Sequence, residues 1–332
     1  MLSTPLDNGA SICEVCPHRC LLRHGQVGRC RVRVNQNGHV HPIQSQGLVA
    51  LGVATVEEHP LYHFYPGMRT LCAGSLGCTA KCDFCQNWEL ALAPHHGLAW
   101  PSLLSANADE IIRKASSSGC KAISFTYNEA TVWPELILEV MEAGRRSGLK
   151  NVLATNGFVS ERTWNLLFPW LDGLKIDLKG SNNQFYRDVV GIEIQSVLRS
   201  LDLIRESGVW HEISTVIIPG ANDSADSISR FVEIILEHCS HHTPWHLMRF
   251  FPAYRMINQQ PGELEELRRV RLSAIRDGLA YVYISNVPGI PESYTRCHEC
   301  AAVLSVRGLE RSNPLPKRCH GCGVDIPGRG LA

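Results

Sequence analysis

The sequence predicts an α/β fold: a partial (β/α) barrel of about six to seven parallel βα units, with a cysteine-rich module at each end. Three observations predict it. Between about residues 70 and 290, short apolar runs alternate with amphipathic stretches of helical period. Ser or Asn opens several of the helical stretches and Gly follows several of their ends. Eleven of the fourteen cysteines fall into three groups, near the start, after the first core strand and near the end. The expected division is a Cys-rich module over 1–69, the βα core over 70–290 and a second small module over 291–332.

The N-terminal group is Cys13-x2-Cys16-x3-Cys20-x9-Cys30. Four thiols suffice for a structural metal, and the spacing is not a standard zinc pair. Zinc and a second iron–sulfur cluster both stay open. In the core, strands are expected at Thr70–Gly74, Ala122–Phe125, Asn151–Thr155, Gly173–Leu178, Glu212–Ile218, His246–Phe250 and Tyr281–Ile284. Helices are expected at Asn107–Ser118, Pro134–Ser147, Ser160–Phe168, Ser196–Ser207, Ser224–Cys239 and Glu263–Asp277. Cys72 and Cys120 read as small buried hydrophobes beside strands. The C-terminal group pairs Cys297-x2-Cys300 with Cys319-x2-Cys322 across 18 residues, the spacing of a zinc ribbon. Four thiolates close a tetrahedral site, so zinc there is structural. A module this small needs such a staple to fold.

Composition excludes several classes. Lys+Arg and Asp+Glu are both 32, so nothing asks for nucleic acid as an electrostatic partner. No run reaches the ~18 apolar residues of a membrane span. Met1–Pro5 lacks the basic-then-apolar pattern of an export signal, so a cytoplasmic location is expected. In that setting fourteen cysteines read as metal or redox groups before disulfides.

A parallel barrel gathers its chemistry at the C-terminal ends of its strands. The first core strand runs into Cys78, the second into Thr126-Tyr127-Asn128-Glu129, and the third into Thr155-Asn156-Gly157. The fourth runs into Asp177-Leu178-Lys179, the sixth into Arg249 and the seventh into Ser285-Asn286. Cys78, Cys82 and Cys85 form a C-x3-C-x2-C pattern. Soft thiolates favour iron–sulfur centres and zinc. Three close cysteines without a local fourth suggest a [4Fe–4S] cluster with one open iron, and a zinc knuckle is the competing reading. Arg249 suits a carboxylate or phosphate, or a structural ion pair. His246 and Tyr254 lie near it in sequence, and all three could face substrate together with Asn286.

Cys78, Cys82, Phe84 and Cys85 match C-x3-C-x-aromatic-C, and the chain resembles radical S-adenosylmethionine (SAM) enzymes. The resemblance implies that the open iron chelates SAM and that the cluster cleaves it to methionine and a 5′-deoxyadenosyl radical. An external one-electron reductant is then required. It implies that Phe84 packs beside the cluster, and that Asn128 and Glu129 lie where SAM's amino group is contacted. Tyr127-Asn128 stands where Gly-Gly is frequent. Thr155-Asn156-Gly157 and Asp177-Leu178-Lys179 resemble segments of glycyl-radical activating enzymes, which implies that Asn156, Asp177 and Lys179 help seat SAM. Ala154 replaces the Asp usual there. Ile217-Ile218 could wall the adenine or be core.

Over nearly the whole chain the pattern resembles the radical SAM protein of the AmmeMemoRadiSam system. The resemblance is carried by the N-terminal knuckle, Gln86-Asn87-Trp88-Glu89, Ile218–Asp223, Arg249–Tyr254, Asn286–Gly289 and the terminal pairs. Ala130 departs from a frequent Pro. The resemblance implies Memo-like and AMMECR-like partners and leaves the substrate unnamed. A glycyl-radical activase, an RNA-modifying enzyme and a metal-stapled scaffold are the alternatives.

Overall fold

The computed structural model describes residues 2–43, 50–96, 107–307 and 314–332. Near the start, β1 (Ser3–Pro5), β2 (Ser11–Cys13) and β3 (Leu21–Leu22) pair antiparallel in that order. A hairpin follows, β4 (Arg33–Gln36) with β5 (His39–Pro42). Its turn is Asn37-Gly38, with φ of 53° and 85°, the left-handed pair that matches the twist of tight hairpins.

Eight strands then form one sheet in chain order: β6 (Ala50–Thr55), β7 (Arg69–Gly74), β8 (Ala122–Phe125), β9 (Lys150–Thr155), β10 (Gly173–Asp177), β11 (Trp210–Ile217), β12 (Trp245–Arg249) and β13 (Val282–Ile284). From β7 to β13 every neighbouring pair is parallel. The seven strands expected of the core are thus parallel, and an eighth, β6, comes from the segment expected to belong to the N-terminal module and runs antiparallel to β7. Antiparallel neighbours need no crossover helix. The link from Thr55 to Arg69 accordingly holds only one short helical turn, Val56–Glu58. Among the described residues β6 and β13 do not pair, so the sheet is an open, mixed α/β sheet compatible with a partial barrel.

The helices are α1 (Trp88–Ala91), α2 (Ala108–Ser117), α3 (Pro134–Arg146), α4 (Glu161–Leu167), α5 (Asn183–Phe185), α6 (Ile194–Ser207), α7 (Ala225–His238) and α8 (Leu264–Arg276). The expected caps are in place. Asn107 accepts from the Glu110 amide at 3.0 Å while Glu110 accepts from the Asn107 amide at 2.9 Å. Ser160 and Ser224 cap α4 and α7. Strand alternation sorts the core. Leu174 and Ile176 of β10, with Ile213 and Ile217 of β11, join a continuous apolar cluster with Ile111, Val140, Trp164, Val197, Phe231 and Val270 of the helices. Each such buried side chain contributes roughly 1.5–3 kcal/mol. The opposite parity carries Lys175 and Asp177, and Glu212 and Ser214, and these polar groups bond one another and their neighbours.

At the end of the sheet where the strands begin, Glu212 is fully buried. It accepts from the amides of Tyr62 and His63 at 2.9 and 2.8 Å and faces His246 Nε2 at 2.8 Å. This bundle anchors the C-terminal segment. His63 Nδ1 meets the Pro327 carbonyl at 2.7 Å, and Arg307 donates to the Ser293 and Tyr62 carbonyls. The segment itself holds the short antiparallel pair β14 (Thr295–Arg296) and β15 (Val303–Ser305). Among the described residues no helix is long and apolar enough to cross a membrane.

Candidate active site

The loop after β7 turns at Gly77, where φ is +82° and a side chain would meet Val32 and the Cys30 carbonyl within 2.8 Å. Only glycine suits both the turn and the close approach of the N-terminal segment. Cys78, Cys82 and Cys85 follow. The amides of Lys81 and Asp83 donate to the carbonyls of Val190 and Val189 at 2.8 and 3.0 Å, which fixes the loop against the turn after α5. The other strand ends hold the loop as well. Asn128 donates to the Gly77 carbonyl at 2.7 Å and accepts from the Ser75 amide at 3.0 Å. Trp133 Nε1 donates to the Leu76 carbonyl at 2.7 Å. Asn156 Nδ2 donates to Thr79 Oγ1 at 3.0 Å and approaches Cys78 Sγ at 3.6 Å.

Glu129 is buried and fully engaged. It accepts from Thr131 Oγ1 at 2.7 Å, Thr155 Oγ1 at 3.0 Å and the Asn156 amide at 2.7 Å. Burial raises its carboxyl and these donors act against the rise. Its role in this geometry is to lock the ends of β8 and β9 to each other. Asp177 lies between two ammonium groups. It pairs with Lys175, with Lys179 at 3.3 Å, and accepts from Ser214 at 2.6 Å. Burial alone would raise this carboxyl, yet Lys175 and Lys179 hold it well below the usual carboxylate range. Lys179 in turn is pushed up against the pull of burial by Asp177. Its ammonium also lies 5.9 Å from the centre of the Phe84 ring.

Two adjoining cavities open here. The inner one, about 140 Å³, is lined by Cys78, Cys82, Cys85, Asn128, Glu129, Thr155, Asn156, Asp177 and Lys179. These nine side chains, singled out from four separate strand ends in the sequence, share one space. The outer cavity, about 380 Å³, shares Cys82, Cys85, Asp177 and Lys179 and adds Phe84, Val216, Met248, Arg249, Phe251 and Asn286. Burial raises all three thiols, with Cys82 pushed up to about 12 although Lys179 acts to lower it. Metal coordination deprotonates such thiols outright. Three soft thiols on one short loop, with the Asn156 amide beside Cys78, suit an iron–sulfur centre or zinc.

Some sequence expectations land elsewhere. His246 is not at the mouth, since it is fully buried against Glu212, with Ser285 Oγ 2.7 Å from Nδ1. Its parity on β12 faces the interior two residues too early to reach the strand end. Tyr254 stacks on Trp88 at 5.5 Å and faces His96 Nε2 at 2.9 Å, outside both cavities. Ile217 and Ile218 are core, and Val216, of opposite parity to Ile217 on β11, lines the outer cavity instead. Asn286 lines that cavity, but its amide is committed to the Arg249 backbone, at 2.6 and 2.9 Å. Arg249 donates through Nε to the Gly262 carbonyl at 2.6 Å and lies 5.3 Å over Phe251. The sequence does not single out Lys175 or Ser214, and it places Tyr127 only within the run after the second core strand. Lys175 and Ser214 could have been found by parity, since each shares a sheet face with Asp177 or its register partner. Tyr127 has a φ of 73°, a constraint that only the packed loop reveals.

The terminal cysteines differ from one another. The Sγ atoms of Cys297, Cys300, Cys319 and Cys322 all lie within 4.8 Å of one another. Amides of Glu299 and Gly321 donate to Cys297 and Cys319 at 3.4 and 3.3 Å. Desolvation works against it, but the Cys322 and Gly321 amides and neighbouring thiols bring Cys319 down to about 6. This quartet can hold a metal ion. Cys20 and Cys30 both approach Gly28, and Cys16 lies close enough to Cys13, Cys20 and Cys30 to feel their charge. Cys72 is buried with its sulfur 2.8 Å from His59 Nε2, and Cys120 is core.

A sheet whose strand ends deliver three thiols to a polar recess defines a class, and residues 74–232 match the model of the radical SAM superfamily. The chain belongs to that superfamily and is an enzyme of oxidoreductase-like character. It is 32% identical, over 98% of both chains, to the uncharacterized protein MJ0808 of Methanocaldococcus jannaschii. It is 22% identical to pyruvate formate-lyase 1-activating enzyme of Escherichia coli K12, over 59% of this chain and 84% of that one. A radical SAM methyltransferase from Sphaerobacter thermophilus shares the fold, with a TM-score of 0.51 and 17% identity over 72% of this chain and 70% of that chain.

Proposed function

We propose that Cys78, Cys82 and Cys85 hold a [4Fe–4S] cluster and that the chain cleaves SAM to abstract hydrogen from a substrate in the outer cavity. The observation that carries this reading is the inner cavity, where the three thiols meet Asn128, Glu129, Thr155, Asn156, Asp177 and Lys179. When bound, the cluster supplies the electron that splits SAM into methionine and a 5′-deoxyadenosyl radical. The chain's own residues orient the reactants and exclude side reactions. Asn156 offers an N–H to the Cys78 sulfur, which favours its thiolate. Lys175 and Lys179 both border the inner cavity, and their ammonium groups flank Asp177 within reach of the carboxylate of SAM. Glu129 holds the β8 and β9 loops rather than offering a free oxygen. At the outer rim Arg249, braced by Gly262 and Phe251, presents its guanidinium to an anionic substrate group, and Asn286 sets its backbone.

The C-terminal quartet is read as a structural zinc site and Cys13, Cys16, Cys20 and Cys30 as a second structural metal site, zinc or a cluster. The division is 1–69, 70–290 and 291–332. Memo-like and AMMECR-like proteins are proposed as partners on the sequence resemblance. Similarity to pyruvate formate-lyase 1-activating enzyme favours a second reading, activation of a glycyl-radical partner. Anaerobic reconstitution with iron and sulfide tests the first reading. The expected product is 5′-deoxyadenosine; a reduced, iron-loaded protein that never releases it sinks the proposal. With deuterated candidate substrates, label in the deoxyadenosine identifies the hydrogen donor. A glycyl-radical signal by electron paramagnetic resonance with a partner protein would select the second reading.

A further inference from the structure

Each sulfur of the N-terminal cysteine group is offered a backbone N–H. The Arg29 amide donates to Cys20 Sγ at 3.4 Å. The amides of Val15, His18 and Val32, each two residues past a cysteine, donate to Cys13, Cys16 and Cys30. The same two-residue pattern serves Cys297 and Cys319 in the C-terminal quartet. N–H groups aimed at sulfur favour the thiolate, the form in which cysteine binds metal. Arg33 is 1% exposed, and among the described residues its Nε has no oxygen partner and lies against the Cys13 thiol.

The stretches beside these cysteines grip three loops at the end of the sheet that holds the inner cavity. Between Cys13 and Cys16, the Glu14 carbonyl accepts from Ser160 Oγ at 2.6 Å. The Val15 carbonyl accepts from the Ser160 amide at 3.2 Å and from Thr163 Oγ1 at 2.9 Å, beyond β9. Between Cys16 and Cys20, His18 Nε2 meets the Thr79 carbonyl at 2.9 Å, one residue past Cys78, and its ring lies 4.8 Å from that of Phe158. After Cys30, Arg33 donates to the Val132 carbonyl at 3.2 Å and forks onto Glu135 at 2.9 and 2.7 Å, beyond β8. The Phe158 amide in turn bonds Asn156 Oδ1 at 2.9 Å, and the Val132 amide bonds the Glu129 carbonyl at 3.2 Å. Cys78, Glu129 and Asn156, which line the inner cavity, are thus each gripped a few residues downstream.

We propose that the N-terminal thiol site positions the SAM pocket: metal held by Cys13, Cys16, Cys20 and Cys30 fixes His18, Arg33 and the Glu14-Val15 carbonyls, and through them the three loops that wall the inner cavity. The inference rests on the readings that these four thiols hold metal and that the inner cavity takes SAM. Without metal the segment has little to hold its shape. Strands β1, β2 and β3 have three, three and two residues, and the apolar cluster around them is Leu2, Cys13, Val15, Leu22 and Val40. A segment that small orders when it binds metal, and the loops it grips are ordered with it. Groups that support a binding site from behind set its geometry in this way. The C-terminal quartet differs, since its segment is anchored at the opposite end of the sheet through His63 and Arg307.

The test compares amide exchange in the full, iron-free chain with and without Zn²⁺. In wild type, zinc alone should slow exchange about tenfold or more at residues 130–133 and 157–160, two stretches that contain no cysteine. In Cys16→Ser with Cys20→Ser, zinc content should fall by about one ion per chain and that slowing should vanish, while Thr295–Ser305 stays protected. An unchanged zinc content overturns the metal reading, and the inference with it. Cys78, Cys82 and Cys85 are intact in that variant, so slowing that persists there comes from the triad and overturns the positioning role. His18→Leu and Arg33→Lys keep all four thiols and break the grip. Reconstituted with iron and sulfide, both should keep wild-type metal content and far-ultraviolet circular dichroism. Both should bind SAM about tenfold more weakly by equilibrium titration, with a smaller change in the cluster's electron paramagnetic resonance signal when SAM is added. Wild-type SAM affinity in both variants overturns the positioning role and leaves the metal site standing. A cluster-loaded wild type that binds no SAM overturns the SAM reading, and the inference with it.

Discussion

Glu129 reaches from the end of β8 to the backbone amide of Asn156 at the end of β9, 2.7 Å away, and that one contact ties the sulfur-facing Asn156 to the neighbouring strand. The same carboxylate takes the hydroxyls of Thr131 and Thr155. A buried acceptor with this many donors is costly to change. Glu129→Gln keeps the shape but turns an N–H toward donors. The expected loss is about 1–3 kcal/mol in urea unfolding, with weaker SAM binding by equilibrium titration. A variant with wild-type stability would show that the contact carries no weight.

The three cysteine groups should separate by phenotype. Cys82→Ala should abolish both the visible cluster absorbance and SAM cleavage, with unchanged far-ultraviolet circular dichroism. Cys319→Ala should leave the cluster spectrum in place and lower the thermal midpoint, because its thiol belongs to the compact C-terminal quartet. Cluster loss in Cys319→Ala with an unchanged midpoint would reverse these assignments.

Chelation extends the contrast. Thiolate ligands release their metal as they take up protons. Treatment with a zinc chelator should loosen residues 291–332 first, seen as faster amide exchange around Thr295–Ser305. The anchoring bonds of His63 to Pro327 and Arg307 to Tyr62 should then open. Persistent protection of that segment in metal-free protein would exclude a structural metal there.

Asp177 and Lys179 answer to a charge argument. Asp177→Asn leaves two ammonium groups facing each other across the floor of the site. SAM affinity should fall about tenfold, equivalent to ~1.4 kcal/mol, since Lys179 loses the partner that orients it. Arg249→Gln should instead spare SAM cleavage without substrate and weaken coupling to substrate, read as deoxyadenosine formed per product. An Arg249→Gln protein with full coupling would remove Arg249 from substrate binding.

Acid stability depends on His63. Burial holds this imidazole down to about 4, against an ordinary value of 6.5. A histidine with a lowered folded pKa is neutral in the native state and protonated when unfolded below pH 6.5. The unfolded state then binds more protons, so stability rises with pH across that window and is lost as pH falls from about 6.5 toward 4. The loss from this one group is on the order of 3 kcal/mol. The urea midpoint measured from pH 7.5 to 5 should drop more steeply in wild type than in His63→Gln. Parallel slopes would exclude His63 as the source.

What the sequence determined by itself was the order of parts. Apolar runs of the right length, Ser and Asn caps and terminal glycines located β7 to β13 and the six long helices within a few residues, because those signals are local. The Cys78–Cys85 spacing and the polar tails after each strand named the residues that meet in the inner cavity, since a parallel sheet with crossover helices has only one end at which they can gather. Tertiary structure alone decided the rest. Pairing made Ala50–Thr55 an antiparallel edge strand, which no periodicity in Ala-Leu-Gly-Val-Ala-Thr announces. Packing sent His246 to Glu212 at the far end of the sheet and brought Lys175 beside Asp177. The meeting of His63 with Pro327 and Tyr283 joins segments more than 200 residues apart, and groups that distant come within bonding reach only once the chain has folded.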